Sequence, residues 1–243
     1  MNTEKLKKLF RKDSRKNCSV VIVAAGSSER TGKDKILLEL GGEPVISRTI
    51  RAFQNSEFID EIIVVTRTED ISFISDICNE KGYTKVKSVI EGGADRTQSS
   101  LAGVSAVSSK AELIAIHDGA RPFVTDRIIK DAVAAAGQYL AAVPAVRSVD
   151  TVRIIDEDGV IIVCPDRNYV ASIQTPQVFH ADIIKGALSS AVTKELSLTD
   201  DSSAAERMGV KVHTVEGDVD NIKLTVPDDF VKAAAILKSR GEA

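Results

Sequence analysis

From Ser19 onward, short β-branched runs alternate with stretches of helical periodicity, and this rhythm restricts the fold more than any other feature. Strand candidates lie at residues 20–25, 61–66, 85–90, 113–117 and 141–146, with helical patterns at 44–54, 70–81, 97–107 and 125–139. Strand–helix alternation at this spacing builds βαβ units, hence an α/β fold: a doubly wound, mostly parallel, Rossmann-like sheet flanked by helices. Sheets of this kind bind ligands in a crevice beyond the carboxyl ends of their strands. The loops that follow strands are therefore the places to look for chemistry.

The rhythm breaks near residue 150. Residues 151–155 and 160–163 are two β-like runs joined by Asp156-Glu-Asp-Gly159, a turn signal for a hairpin. A hairpin inserted here projects as an arm spanning about 148–170, and projecting arms often make subunit contacts. A helix at 181–193, a polar segment at 199–208, a strand at 211–215 and a closing helix from Pro227 complete the pattern. Proline's fixed φ and missing N–H suit the first helical turn. A chain of 243 residues, 43% apolar, has enough material for one sizeable core, so residues 18–243 read as a single domain with an arm.

Residues 1–17 form a basic leader, with seven Lys or Arg against Glu4 and Asp13. Its net charge of +5 leaves −8 on the rest of a chain whose total is −3. Leu6, Leu9 and Phe10 have helical spacing, but a solvated leader is the plainer reading, without nucleic-acid or membrane contact. The longest apolar run, residues 20–25, falls far short of the ~20 residues that span a bilayer. No apolar h-region follows the N-terminal charges. Cys18, Cys78 and Cys164 are widely spaced and lack a CxxC pair, which fits reduced thiols in a cytoplasmic protein.

Four post-strand segments carry candidate chemistry. Ala24-Ala25-Gly26 leads into Ser27-Ser-Glu-Arg30-Thr-Gly32-Lys33-Asp34-Lys35. Small residues there let backbone N–H groups approach phosphate oxygens, and Arg30 and Lys35 suit a triphosphate. The spacing is not that of a P-loop, and Asp34 stands where a magnesium-binding Ser or Thr would be. Glu91-Gly-Gly-Ala-Asp-Arg96-Thr-Gln-Ser99 exposes backbone groups that can read a base edge, although paired glycines also serve plain turns. In His117-Asp118-Gly-Ala-Arg121-Pro122, Asp118 can hold Mg²⁺ beside a phosphate on Arg121, and a surface ion pair is the competing reading. Asp220-Asn-Ile-Lys223 places a lysine beside polar backbone. His117, His180 and His213 show no metal-ligand spacing, and GxSxG and HExxH are absent. Two Asp-x-Asp pairs, Asp156/Asp158 and Asp218/Asp220, would suit a glycosyltransferase, but the first sits in a turn that favours Asp for itself.

Taken in order, these segments resemble the sugar-phosphate nucleotidyltransferases. Leu38-x-Leu40-x-Gly42-x-Pro44, Gly92-Gly-x-x-Arg96-x-x-Ser99, His117-Asp-Gly-Ala-Arg-Pro122, Thr151, Asp166-Arg167, Gln174-Thr-Pro-Gln177, Thr199-Asp200 and Asp220-Asn-Ile-Lys223 narrow the likeness. They are similar to the methylerythritol-phosphate cytidylyltransferases, from about residue 19 to 240. The ribitol-phosphate cytidylyltransferases share much of the set, whereas Ala24-Ala25-Gly26, Pro144-Ala-Val-Arg147 and Thr199-Asp200 favour the methylerythritol group.

The resemblance implies an enzyme that joins CTP and a polyol phosphate with loss of pyrophosphate, assisted by Mg²⁺ or another divalent cation. Carried over by position, Arg30, Lys35 and Lys223 are the catalytic cations, the first two on the triphosphate and Lys223 on the α-phosphate. Lys33 rivals Lys35, and counting back from Leu38-x-Leu40-x-Gly42 selects Lys35. Ala24, Ala25, Gly26, Gly93 and Ser99 would bind the nucleotide. Asp118, Arg121, Thr151, Arg167 and Thr175 would face the sugar phosphate, with Asp118 also the metal ligand. Thr151 and Arg167 fall on the arm, which implies a homodimer in which they reach the neighbour's site. The chain closes after its last helix, so the cyclodiphosphate synthase fused to some relatives is not expected. Departures from the pattern include Ser27-Ser28 in place of a second glycine, Thr31 after the arginine, and Ala94 where an acid is common. The rival class is a non-catalytic nucleotide-binding module.

Overall fold

The computed structural model describes residues 16–26 and 35–242. The leader helix around Leu6, Leu9 and Phe10, together with Arg30 and Lys33, lies outside the described residues.

Three strands make the centre: β1 (Cys18–Val23), β4 (Glu61–Thr66) and β6 (Leu113–Asp118). They read as nearly unbroken apolar runs because both of their faces are covered, as parallel strands require. β1 pairs in parallel with β4 on one side and β6 on the other, and β4 pairs with β5 (Val86–Glu91). The chain thus runs outward from β1 to β4 and β5, then crosses back to β6 on the opposite flank. That reversal is the topological switch point. A minor two-stranded ribbon, β2 (Glu39–Leu40) and β3 (Glu43–Pro44), follows the first loop.

Beyond β6 the sheet continues through an antiparallel strand that periodicity did not predict. It consists of β10 (Ala171–Ile173) and β11 (Gln177–His180), both antiparallel to β7 (Ala141–Arg147), and β11 also pairs with β6. Gln174 N–H donates to Pro144 O at 2.8 Å, so the ladder persists where the two pieces join. β12 (His213–Glu216) pairs in parallel with β7.

Seven helices occur among the described residues: α1 (Val45–Asn55), α2 (Ile71–Glu80), α3 (Arg96–Ala106), α4 (Asp126–Tyr139), α5 (Ala181–Thr193), α6 (Asp201–Arg207) and α7 (Pro227–Arg240). Alternate residues of one strand face opposite layers. Val20, Ile22, Ile62 and Val64 pack with Ile46, Ile50, Phe53 and Ile129 of α1 and α4, joined by Ile74 and Leu237 of α2 and α7. Val21, Ile63, Val65 and Ile114 pack with Val104, Ile184, Leu188 and Ala205 of α3, α5 and α6. These two layers are the doubly wound architecture the alternation implied.

The polar segment at 199–208 turns out to be helix α6, because the Asp200 carboxylate accepts from Ser203 N–H at 3.0 Å and caps it. The hairpin forms as β8 (Ile154–Ile155) and β9 (Ile161–Val163), a two-stranded sheet separate from the main one. Not one residue from 147 to 173 is buried. Among the described residues no helix is long and apolar enough to cross a membrane.

Candidate active site

The loops after β1, β5 and β6 meet above the switch point. With Lys223 they enclose a crevice of about 380 Å³. Ala24, Ala25, Gly26, Lys35, Gly93, Ser99, Asp118 and Lys223, all anticipated from sequence, line it.

The first two walls are made of closely packed backbone. Gly119 N–H donates to Val23 O at 2.8 Å, and a Cβ on Gly119 would stand 2.9 Å from Ala24 Cβ. Gly92 N–H donates to Thr66 O at 2.8 Å, and a Cβ there would fall 2.5 Å from Ala25 Cβ and 2.8 Å from Ser99 Oγ. The glycines are therefore required by close approach. Ser99, only 2% exposed, accepts from Gly93 N–H at 3.1 Å and donates to Asp95 O at 2.8 Å. Asp95 in turn caps α3 by accepting from Gln98 N–H at 2.7 Å. The hydroxyl of Ser99 thus shapes the loop from within.

Asp118 ends β6 as the hub of the third wall. Its Oδ2 lies 3.1 Å from Lys223 Nζ and 3.2 Å from Arg121 Nε, and its Oδ1 lies 3.4 Å from an Arg96 nitrogen. Burial alone would raise this carboxyl, but Lys223, Arg96 and Arg121 together outweigh it and hold the group well below the usual carboxylate range. Asp118 is therefore ionised at every physiological pH.

Its neighbour His117 is fully buried, and burial pushes the imidazole down to about 4. The ring is neutral, and its hydrogen bonds assign the tautomer. Arg121 O, 3.1 Å from Nε2, can only accept, so the proton sits on Nε2. Nδ1 then accepts from the Thr175 hydroxyl at 3.0 Å, while Asp118 N–H donates to Thr175 Oγ1 at 3.1 Å. Thr175 and His117 thereby clamp the Asp118–Arg121 turn from behind the crevice wall.

Lys223 is positioned by side chains more than 40 residues away. Gln174 donates to Asp218 O at 2.8 Å and accepts from Asp218 N–H at 3.2 Å. The buried Asn221 amide donates to Thr175 O at 3.0 Å, and Arg121 donates to Asn221 O at 2.7 Å. Leu224 N–H, one residue past the lysine, donates to Ala120 O at 2.9 Å. Gln177 plays a similar part for α6, donating to Asp200 at 2.7 Å and accepting from Ser202 N–H at 2.8 Å.

Several anticipated residues stand elsewhere. Arg121 and Thr175 are packed behind the wall rather than lining it, engaged as just described. Thr151 and Arg167 are exposed on the 147–173 segment, outside the crevice. Both Asp-x-Asp pairs serve turns: Asp156 accepts from Asp158 N–H and Val160 N–H, and Asp218 accepts from Asp220 N–H. Arg96, which motif order places at or near the crevice without a stated task, lines it. The signal was present in Gly92-Gly-x-x-Arg96, a glycine turn followed by a cation at a helix N-terminus. Gln174, Gln177 and Asn221 likewise appeared in motifs without a stated task.

Among the described residues no group of three or more His, Cys, Asp and Glu could cage a metal ion. The crevice instead offers cations, backbone amides and one strongly ionised acid. That set suits a reaction in which an already anionic group is transferred and charge must be cancelled.

The family model for 2-C-methyl-D-erythritol 4-phosphate cytidylyltransferase matches residues 18–239. The chain is 45% identical over 225 residues to the enzyme of that name from Caldanaerobacter subterraneus subsp. tengcongensis, covering 91% of this chain and 99% of that one. It is 37% identical to the enzyme of the same name from Alkaliphilus oremlandii, covering 92% and 96%. The crystal structure of 4-diphosphocytidyl-2C-methyl-D-erythritol synthase from Anaerococcus prevotii superimposes with a TM-score of 0.84 at 34% identity, covering 92% of this chain and 96% of that one.

Proposed function

The chain belongs to the 2-C-methyl-D-erythritol 4-phosphate cytidylyltransferase family, and from that premise we propose how its crevice performs the transfer. The enzyme converts CTP and 2-C-methyl-D-erythritol 4-phosphate to 4-diphosphocytidyl-2-C-methyl-D-erythritol and pyrophosphate, in the non-mevalonate route to isoprenoid precursors. A phosphate oxygen of the sugar alcohol attacks the α-phosphorus of CTP, and the bond from that phosphorus to the bridging oxygen breaks, releasing pyrophosphate. The nucleophile is anionic near neutral pH, so no general base is needed. Alignment and charge cancellation carry the rate.

Backbone groups of Ala24, Ala25 and Gly93 read the cytosine, with Ser99 holding Gly93 in place. Gly26, Arg30 and Lys35 take the triphosphate, and Lys223 meets the charge that develops at the α-phosphorus. Asp118 orients Lys223. Arg121 and Thr175 support Asp118 from behind and border the sugar-phosphate side. The observation that carries this reading is the approach of Lys223 Nζ to Asp118 Oδ2, 3.1 Å, at the wall of a glycine-lined crevice.

Asp118 fits a divalent cation as a single protein ligand sharing the ion with triphosphate oxygens, the usual pattern for Mg²⁺. When bound, that ion supplies further neutralisation of the phosphates. Lys223, Arg121 and Arg96 already share the carboxylate, so binding of the metal without nucleotide is not expected.

Pyrophosphate release with CTP and each polyol phosphate tests the assignment. Turnover with methylerythritol phosphate is expected. Turnover with ribitol phosphate alone would move the enzyme to the ribitol group, and none with either would leave a binding module. Substituting Gly92→Ala should raise the KM for CTP about tenfold, since overpacking costs roughly 1–3 kcal/mol. An unchanged KM would remove that loop from nucleotide recognition.

The arm supports a homodimer. Ile154, Ile155, Val160, Ile161, Ile162 and Val163 are each 46–59% exposed, an apolar patch of the kind that marks interaction surfaces. A second copy covering it would bring Thr151 and Arg167 to the neighbour's crevice in the cytoplasm. The pair Ile155→Asp and Ile161→Asp should yield a monomer by light scattering, with reduced turnover. A dimer that survives both changes contradicts this role.

A further inference from the structure

Helix α6 brings an unexpected acid to the edge of the crevice. Asp201 is its first residue and is fully buried. Its Oδ2 lies 2.7 Å from the Arg96 nitrogen that also reaches Asp118 at 3.4 Å. Among the described residues neither Asp201 oxygen accepts a well-aligned hydrogen bond. Burial pushes its carboxyl up from the ordinary range, and Arg96, with the nearby Ser100 hydroxyl, opposes that rise. Desolvation of the two charges offsets much of their attraction, so such a pair is a weak source of net stability, although removing one partner alone leaves the other uncompensated.

What the pair does supply is position. Arg96 lines the crevice between the glycine loop and Asp118, with its side chain 30% exposed. One terminal nitrogen is shared between two carboxylates, and the shorter contact is to Asp201. Without that charge, the guanidinium would close on Asp118 and both charges would be spent on each other.

We propose that Asp201 is a positioning residue that tethers Arg96 at the crevice wall and so keeps a further cation available to the nucleotide's phosphates. This rests on the reading of the crevice as a CTP site. Arg96 adds binding in the ground state, so its loss appears in nucleotide affinity and leaves the second substrate largely unaffected.

The test is calorimetric titration of the full-length protein with CTP, together with steady-state kinetics for both substrates. Asp201→Asn should weaken CTP about tenfold and raise the KM for CTP similarly. The KM for the sugar phosphate should stay within about twofold, and the folded circular-dichroism spectrum should be kept even where the melting temperature falls. Arg96→Gln should cost as much, and the double variant no more than Arg96→Gln alone, since Asp201 acts only through Arg96. An Asp201→Asn protein that binds CTP like the parent overturns the tether, as does a double variant whose losses multiply. Equal losses for both substrates would make Asp201 merely structural. A parent protein that binds no CTP overturns the reading of the crevice itself, and the tether with it.

Discussion

Replacing Lys223 with alanine is expected to lower turnover by about 10²–10³-fold while changing the Kd for CTP by less than about tenfold. Preorganised charges aimed at where charge develops typically have effects of this size when removed. Lys223 qualifies because it is placed before any substrate arrives. Asp118 sits beside its ammonium at 3.1 Å, and the segment that carries it is fastened by Gln174, Asn221 and Arg121. Alanine removes the cation and leaves those fastenings intact, so the fold should survive with little change in melting temperature. Single-turnover rates at saturating CTP, set against calorimetric affinity, separate the two effects. Weakened affinity with normal turnover would contradict the role given to Lys223.

Asp118→Asn should be harsher, costing about 10³-fold in turnover and also weakening the fold. The amide keeps the shape but leaves Lys223, Arg121 and Arg96 facing one another without a counter-charge. Breaking a buried ion pair from one side typically costs about 3–5 kcal/mol. CTP binding should persist, because the surplus positive charge favours a polyanion, which distinguishes this outcome from general collapse.

The pH dependence follows from the direction of the shift. The Asp118 carboxyl is held below its ordinary value in the folded protein. Its contribution is therefore complete above the unfolded value of about 3.9. It is lost as pH falls through the lower folded value. Denaturation midpoints of the parent and Asp118→Asn should differ by a constant amount from about pH 8 to pH 5, and converge in stronger acid. A gap that widens on acidification would show that Asp118 is not ionised as the geometry requires.

The centre of the parallel sheet was legible because strands buried on both faces, β1, β4 and β6, must be almost wholly apolar. The edge strand β5, which has no buried residue, showed through Val86, Val89 and Ile90. Observed β1, β4, β5, β6 and β7 all lie within two residues of the periods read from sequence. The antiparallel strand was not, for a definite reason. Its β10 piece is three exposed residues, and its β11 piece begins with Gln177, whose amide is spent on α6. Neither piece alternates. Helix α6 reads as polar because its short turn is organised by Asp200, with Ser202, Ser203 and Gln177 gathered around one carboxylate.

In the crevice, the small residues that line its walls were recognisable from glycine placement after strands. Arg121 and Thr175 illustrate the limit of such reading. Their motifs are intact, yet whether each side chain faces the crevice or braces it from behind depends on partners such as His117 and Asn221. Arg96 and Asp201 could not be paired from sequence at all. They are over a hundred residues apart, and only the packing of α6 onto the α3 side of the sheet brings them together.

The fastening of the Asp218–Lys223 segment also bears on how the enzyme is made. The walls formed by the loops after β1 and β5 are encoded before residue 100, but Lys223 takes its place only when Gln174 and Asn221 have met and Leu224 N–H has reached Ala120 O. A chain still emerging from the ribosome lacks the lysine to which we assign the charge cancellation in the transfer. With that role for Lys223, activity waits for the last tenth of the polypeptide. An incomplete copy is thus silent rather than faulty, and turnover reports on a finished fold.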